Sequence, residues 1–127
     1  MKLTVVGCSG SFPGPDSPAS CYLLEHDGYS ILLDLGNGAI GPLANYIDID
    51  EVNAVLLSHL HIDHCADVGP LYVSRRYHPE GMRDRIPVIG PQGLEARIIN
   101  LYGCGDSPEP LRSVIDFIEF AATPLEF

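Results

Sequence analysis

Three of the chain's five histidines, His59, His61 and His64, fall within six residues, and Asp63 stands between the second and third. Neutral imidazole and carboxylate are the donors that zinc and similar divalent ions take, so this run reads first as a metal site. The spacing i, i+2, i+4, i+5 does not line one face of a helix. A tight loop can nevertheless turn all four side chains inward. Such a loop has to be held from both sides. Ala54-Val55-Leu56-Leu57, just before it, reads as a buried strand, and the segment after it reads as helix. The donors therefore sit on a strand-to-helix loop, the end of a strand where α/β sheets commonly bind ligands.

The positioning elements follow from the rest of the chain. Lys2 to Val6 has the β-branched content of a strand, and Gly7 closes it. Cys8 to Pro18 is dense in Gly, Pro and Ser, which predicts a surface loop. Cys21 to Glu25 and Ser30 to Asp34 are apolar runs joined through Asp27-Gly28, a strong hairpin signal. Leu35-Gly36-Asn37-Gly38 predicts a turn, followed by a short helix to about Ile47. Val52 to Leu57 is the strand feeding the histidine loop. Asp67 is placed to cap the next helix, which runs to about Tyr77 with Pro70 in its first turn. Ile86 to Ile89 predicts a strand, Leu94 to Leu101 a helix, 105–110 a loop, and Val114 to Phe120 a last strand. Hairpins first and strand–helix units afterwards imply an α/β domain, with a mixed sheet and helices on one face.

The 127 residues amount to one domain at most, with a formal net charge of −10. Bulk electrostatics of that sign disfavour a phosphate backbone as partner, so nucleic acid is not expected. Arg75, Arg76, Arg83 and Arg85 form the only local basic patch, of a size suited to a small phosphate ligand. Cys8, Cys21, Cys65 and Cys104 are far apart and form no C-x-x-C pair, which predicts free thiols in a reducing cytosol. No apolar run is long enough to span a bilayer, and no leader-like segment opens the chain. A cytoplasmic protein without a membrane partner is expected.

The run H-L-H-I-D-H, His59 to His64, resembles the signature of the metallo-β-lactamase fold. Met1 to Ser11 is similar to the opening strand and glycine loop of the ribonuclease Z-like branch. Leu32 to Gly38 resembles the family's D-x-G turn, Leu57-Ser58-His59 its S-H entry, and Ile86 to Gly93 its later strand and Gly-Pro turn. The resemblance implies the N-terminal half of a four-layer αββα sandwich, with a mixed, mostly antiparallel sheet. It further implies that His59 and His61 bind one metal ion and that Asp63 and His64 bind a second, with Asp63 also the catalytic carboxylate. Zinc is the first choice, with manganese or iron as alternatives. Asp34 is then the residue that orients a ligand histidine through a hydrogen bond, and Ser9 a contact for substrate.

The chain departs from the family in one respect. A complete site also takes a third histidine for the first ion, a bridging aspartate and a last histidine, and none of these follows here in the expected context. Residues 1–127 are accordingly expected to be about half of such a domain, and the apolar sheet face so exposed to associate with the missing half or with another copy. The implied activity is hydrolysis of a phosphodiester by a metal-activated hydroxide, with a small substrate such as a cyclic nucleotide. The alternatives are a transfer-RNA 3′-processing endonuclease and an inactive fragment serving as an interaction module.

Overall fold

The computed structural model describes residues 1–105 and 107–121. β1 (Lys2–Gly7), β2 (Cys21–His26) and β3 (Tyr29–Leu33) form an antiparallel meander. The β2–β3 turn is closed by Asp27 and Gly28, both at positive φ (49° and 80°), as the Asp-Gly signal requires. Helix α1 (Ile40–Leu43) and a 3₁₀ turn (Ile49–Glu51) then lead to β4 (Ala54–Leu56). Helices α2 (Ile62–Cys65) and α3 (Val68–Arg76) cross to β5 (Ile86–Gly90), and α4 (Leu94–Tyr102) and α5 (Glu109–Arg112) cross to β6 (Ile115–Glu119).

The six strands lie in chain order, β1 to β6. Antiparallel pairing is confined to β1–β3, and β3–β4, β4–β5 and β5–β6 are parallel. The sheet is mixed, as expected, while its antiparallel character ends with the hairpin. From β3 onward every connection carries helix, and a helical crossover returns the chain in the same direction.

Register sorts the side chains into two faces. Leu23, Leu32, Val55 and Val88 lie in one cross-strand row, with Ile86 and Ile115 paired beside it. These join Leu43, Leu57, Val68, Leu71, Tyr72, Leu94, Ile98 and Leu111 in one buried cluster, so the helices cover this face. The opposite row runs Val5, Tyr22, Leu33, Leu56, Ile89 and Ile118, with Leu3, Leu24 and Ile31 beside it. None of its members belongs to that cluster, and exposure is uneven along it: Leu3 and Val5 are 60% and 51% exposed, whereas Ile89 is fully buried.

Three local expectations are corrected. Residues 109 and 110, the end of the predicted 105–110 loop, open helix α5, because Pro110 sits in the first turn, where its missing N–H is harmless. The strand before the histidines is shorter than 52–57 and begins at Ala54. Asp67 occupies the N-cap position of α3 but makes no side-chain cap there. Its buried carboxylate instead accepts from Gly38 N (3.2 Å) and Ile40 N (2.9 Å), tying the start of α1 to the metal loop. The four cysteines are free thiols, as predicted; Cys21 and Cys65 are buried, and Cys65 is not open to oxidation from solvent. Burial pushes the Cys21 thiol up to about 12, reinforced by the nearby Asp67 and Asp34 carboxylates. No helix of the described residues is long and apolar enough to cross a membrane.

Candidate metal centre

Three backbone segments meet at the end of the sheet where β3 and β4 finish and β2 begins. Ser20 enters β2, Asp34-Leu35-Gly36 leave β3, and Ser58 to Asp67 leave β4. They are laced together by main-chain bonds: Asp34 N to Leu56 O (2.7 Å), Leu35 N to His64 O (2.8 Å), Gly36 N to Ser20 O (2.9 Å) and Ser20 N to Asp63 O (3.2 Å). The predicted loop is only half a loop. His59 lies in irregular chain and His61 has extended dihedrals at the N-cap of α2, whereas Asp63 and His64 ride in its first turn.

Asp34 organises this lattice. It holds φ 61°, a left-handed conformation that aspartate tolerates better than most residues. Its Oδ1 accepts from Ser58 N (2.7 Å), and its Oδ2 lies 2.9 Å from Ser58 Oγ and 2.8 Å from His64 Nδ1. A carboxylate only accepts, so both the serine hydroxyl and His64 Nδ1 donate to it. Ser58 Oγ, its one proton spent, accepts from His59 Nδ1 at 3.0 Å. The network thus puts the proton of both imidazoles on Nδ1 and leaves each Nε2 lone pair free. The Asp34 carboxylate thus reaches a histidine of the candidate set directly. Ser58 was legible only as part of a motif, because a serine reveals its second acceptor role only once the two histidines are in place.

The donor geometry is that of paired ligands. His64 Nε2 and Asp63 Oδ2 are 3.3 Å apart. Two donors at zinc bond lengths on a tetrahedral ion are separated by about 3.4 Å, so one ion fits between them. The ring of His59 lies 3.8 Å from that of His64 and 4.8 Å from that of His61, centroid to centroid. Among the described residues, no three His, Cys, Asp or Glu side chains converge to hold an ion by themselves. The donors make one close pair, Asp63 with His64, and the His59 and His61 rings lie beside it.

Two other expectations fare differently. Ser9 Oγ donates to Ser17 O at 2.8 Å, closing its own glycine loop. The basic patch does not form. Arg75 is buried and donates to Asp84 O, Arg83 pairs with Asp50 (2.7 Å) and Glu80 (2.9 Å), Arg85 pairs with Asp116, and Arg76 lies over the Tyr77 ring. Neighbours in sequence, these arginines are distributed over separate internal partners.

Residues 14–120 match the Metallo-beta-lactamase superfamily. An uncharacterized protein of Mycobacterium leprae is 46% identical over 109 residues, 85% of this chain and 37% of that protein. Ribonuclease Z of Metallosphaera sedula is 33% identical over 97 residues, 75% of this chain and 32% of that enzyme. The crystal structure of the metallo-beta-lactamase fold protein YhfI from Bacillus subtilis superposes with a TM-score of 0.76 at 30% identity, covering 98% of this chain and 49% of that one. The chain spans about half the length of YhfI and roughly a third of the other two relatives. With the match to the family extending over most of its length, this chain belongs to the metallo-beta-lactamase superfamily.

Proposed function

We propose that the complete protein is a metal-dependent phosphodiesterase, and that this chain carries one half of a dinuclear centre: His59 and His61 toward one ion, Asp63 and His64 toward a second. The observation that supports this reading best is the Asp34 carboxylate. Through Ser58 and His64 it frees the imidazole Nε2 atoms and sets one of them 3.3 Å from the Asp63 carboxylate. Divalent ions bound there, zinc first and manganese or iron as alternatives, would supply Lewis acidity and a water nucleophile at neutral pH. The residues of this chain bind and orient. Asp63 is the catalytic carboxylate within reach of the reacting atoms, and Ser9 keeps its lone pairs available for a substrate hydroxyl.

The net charge of −10 and the internally paired arginines favour a small phosphodiester, such as a cyclic nucleotide, over a long polyanion. Full-length protein is expected to hydrolyse cyclic AMP or a generic aryl phosphodiester when zinc or manganese is supplied. No turnover with any metal would sink the reading. Similarity to a ribonuclease Z supports transfer-RNA 3′ processing as the second reading. It requires salt-dependent binding of precursor transfer RNA, and no binding at low salt would remove it.

The sheet face opposite the helices bears on assembly. The row from Leu3 and Val5 to Ile118 is apolar, lies outside the helix-covered cluster and is most exposed at its β1 end. Its proposed partner is the remainder of the same fold, or a second copy where that remainder is missing. Residues 1–127 alone are expected to run as dimers or larger species in light scattering, and a monodisperse monomer would contradict this.

A further inference from the structure

The two halves of the donor set are anchored unequally. Asp63 and His64 sit on α2, and their carbonyls accept from Ser20 N (3.2 Å) and Leu35 N (2.8 Å), while the His64 ring is held by Asp34. The stretch carrying His59 and His61 has far less. Between Ser58 N, held by Asp34, and His61 O, which accepts from His64 N and Cys65 N, one hydrogen bond reaches the main chain among the described residues. It is Arg97 Nε donating to Leu60 O at 2.9 Å, from the middle of α4.

We infer that Arg97 is a positioning residue for the His59–His61 pair. Leu60 stands between the two histidines, so fixing its peptide fixes where both side chains leave the backbone. The Leu60 side chain packs against the core, and its carbonyl is fixed by the guanidinium. With the central peptide held at both points, the flanking imidazoles are kept as neighbours, their ring centroids 4.8 Å apart. The donor is itself well placed. α4 is held at its start by Gly93 N donating to Glu119 Oε1 (2.7 Å), and Leu94 and Ile98 on either side of Arg97 are buried. The inference rests on the metal-centre reading for its functional meaning, though the tether itself exists without metal.

The test uses full-length protein with Arg97→Met, which keeps length and loses every donor, and Arg97→Lys, which keeps charge and a donor. In metal-free protein, backbone order parameters at residues 59–61 are expected to fall from about 0.85 toward 0.6 in R97M, with partial recovery in R97K. Order unchanged in R97M overturns the inference. In zinc titrations, one of two binding steps is expected to weaken about 10- to 100-fold in R97M, with the other unchanged and R97K intermediate. Equal weakening of both steps, accompanied by a lower melting temperature, would show a general structural role and also overturn it. A wild type that binds no zinc removes the metal-centre reading, while the order-parameter result still decides whether Arg97 holds the loop. If R97M does not fold, R97K alone carries both measurements, and wild-type values in each overturn the proposal.

Discussion

Gly36→Ala is expected to destabilise the protein by on the order of 3 kcal/mol and to disrupt the metal loop with it. A Cβ at this position would overlap the main-chain carbonyl of Asp63 and lie 2.9 Å from Ala19 Cβ. Gly36 is not at positive φ, so the cost is steric rather than conformational. The obstructing atoms are backbone, at the crossing of the segments that leave β3 and β4, and no rotamer change can relieve them. Either the Leu35–His64 and Ser20–Asp63 hydrogen bonds open, or α2 shifts and takes Asp63 and His64 out of register. Urea unfolding of the two proteins measures the first outcome and zinc content the second. Gly41→Ala is the control, since nothing lies within 4 Å of its Cβ and the change is expected to be neutral or mildly stabilising. A midpoint for G36A equal to that of G41A would refute the steric account.

Asp34→Asn is expected to lower metal affinity about 10- to 100-fold while leaving the fold intact. Asparagine tolerates the φ of 61°, and its Oδ1 can still accept from Ser58 N at the position of the carboxylate oxygen. It cannot accept at the second position, where Ser58 Oγ and His64 Nδ1 both donate. An amide N–H there faces two donors, so His64 is free to turn or change tautomer, and Ser58 no longer sets His59. The two histidines therefore fail together, through one atom. Competition titration with a chromophoric chelator reads the effect, and an affinity within about twofold of wild type would rule out Asp34 as the orienting group.

Much of this architecture was legible before any coordinates. The β2–β3 hairpin followed from Asp27-Gly28 because few two-residue connections allow positive φ at both positions. The strand–helix alternation after β3 implied the layered sheet, and the His59–His64 run resembles the signature of the family to which the chain belongs. These are local properties: composition, period and spacing act on residues a few places apart, and a sequence displays them directly.

The remainder depended on contacts across the chain. Asp67 is at a capping position, yet its carboxylate is drawn to Gly38 and Ile40, 29 and 27 residues earlier, because the buried start of α1 needs an acceptor. The arginines at 75, 83 and 85 are committed to partners within the chain, Asp84 O, Asp50 and Asp116, which a sequence does not show to be near them. Ser58 and Arg97 acquire their roles from Asp34 and Leu60, 24 and 37 residues away. By itself, the sequence determined which atoms are available to bind a metal, because donor chemistry belongs to the residue. Only the tertiary structure decided which lone pairs are free and which residues hold them, because orientation is imposed by partners distant in the chain.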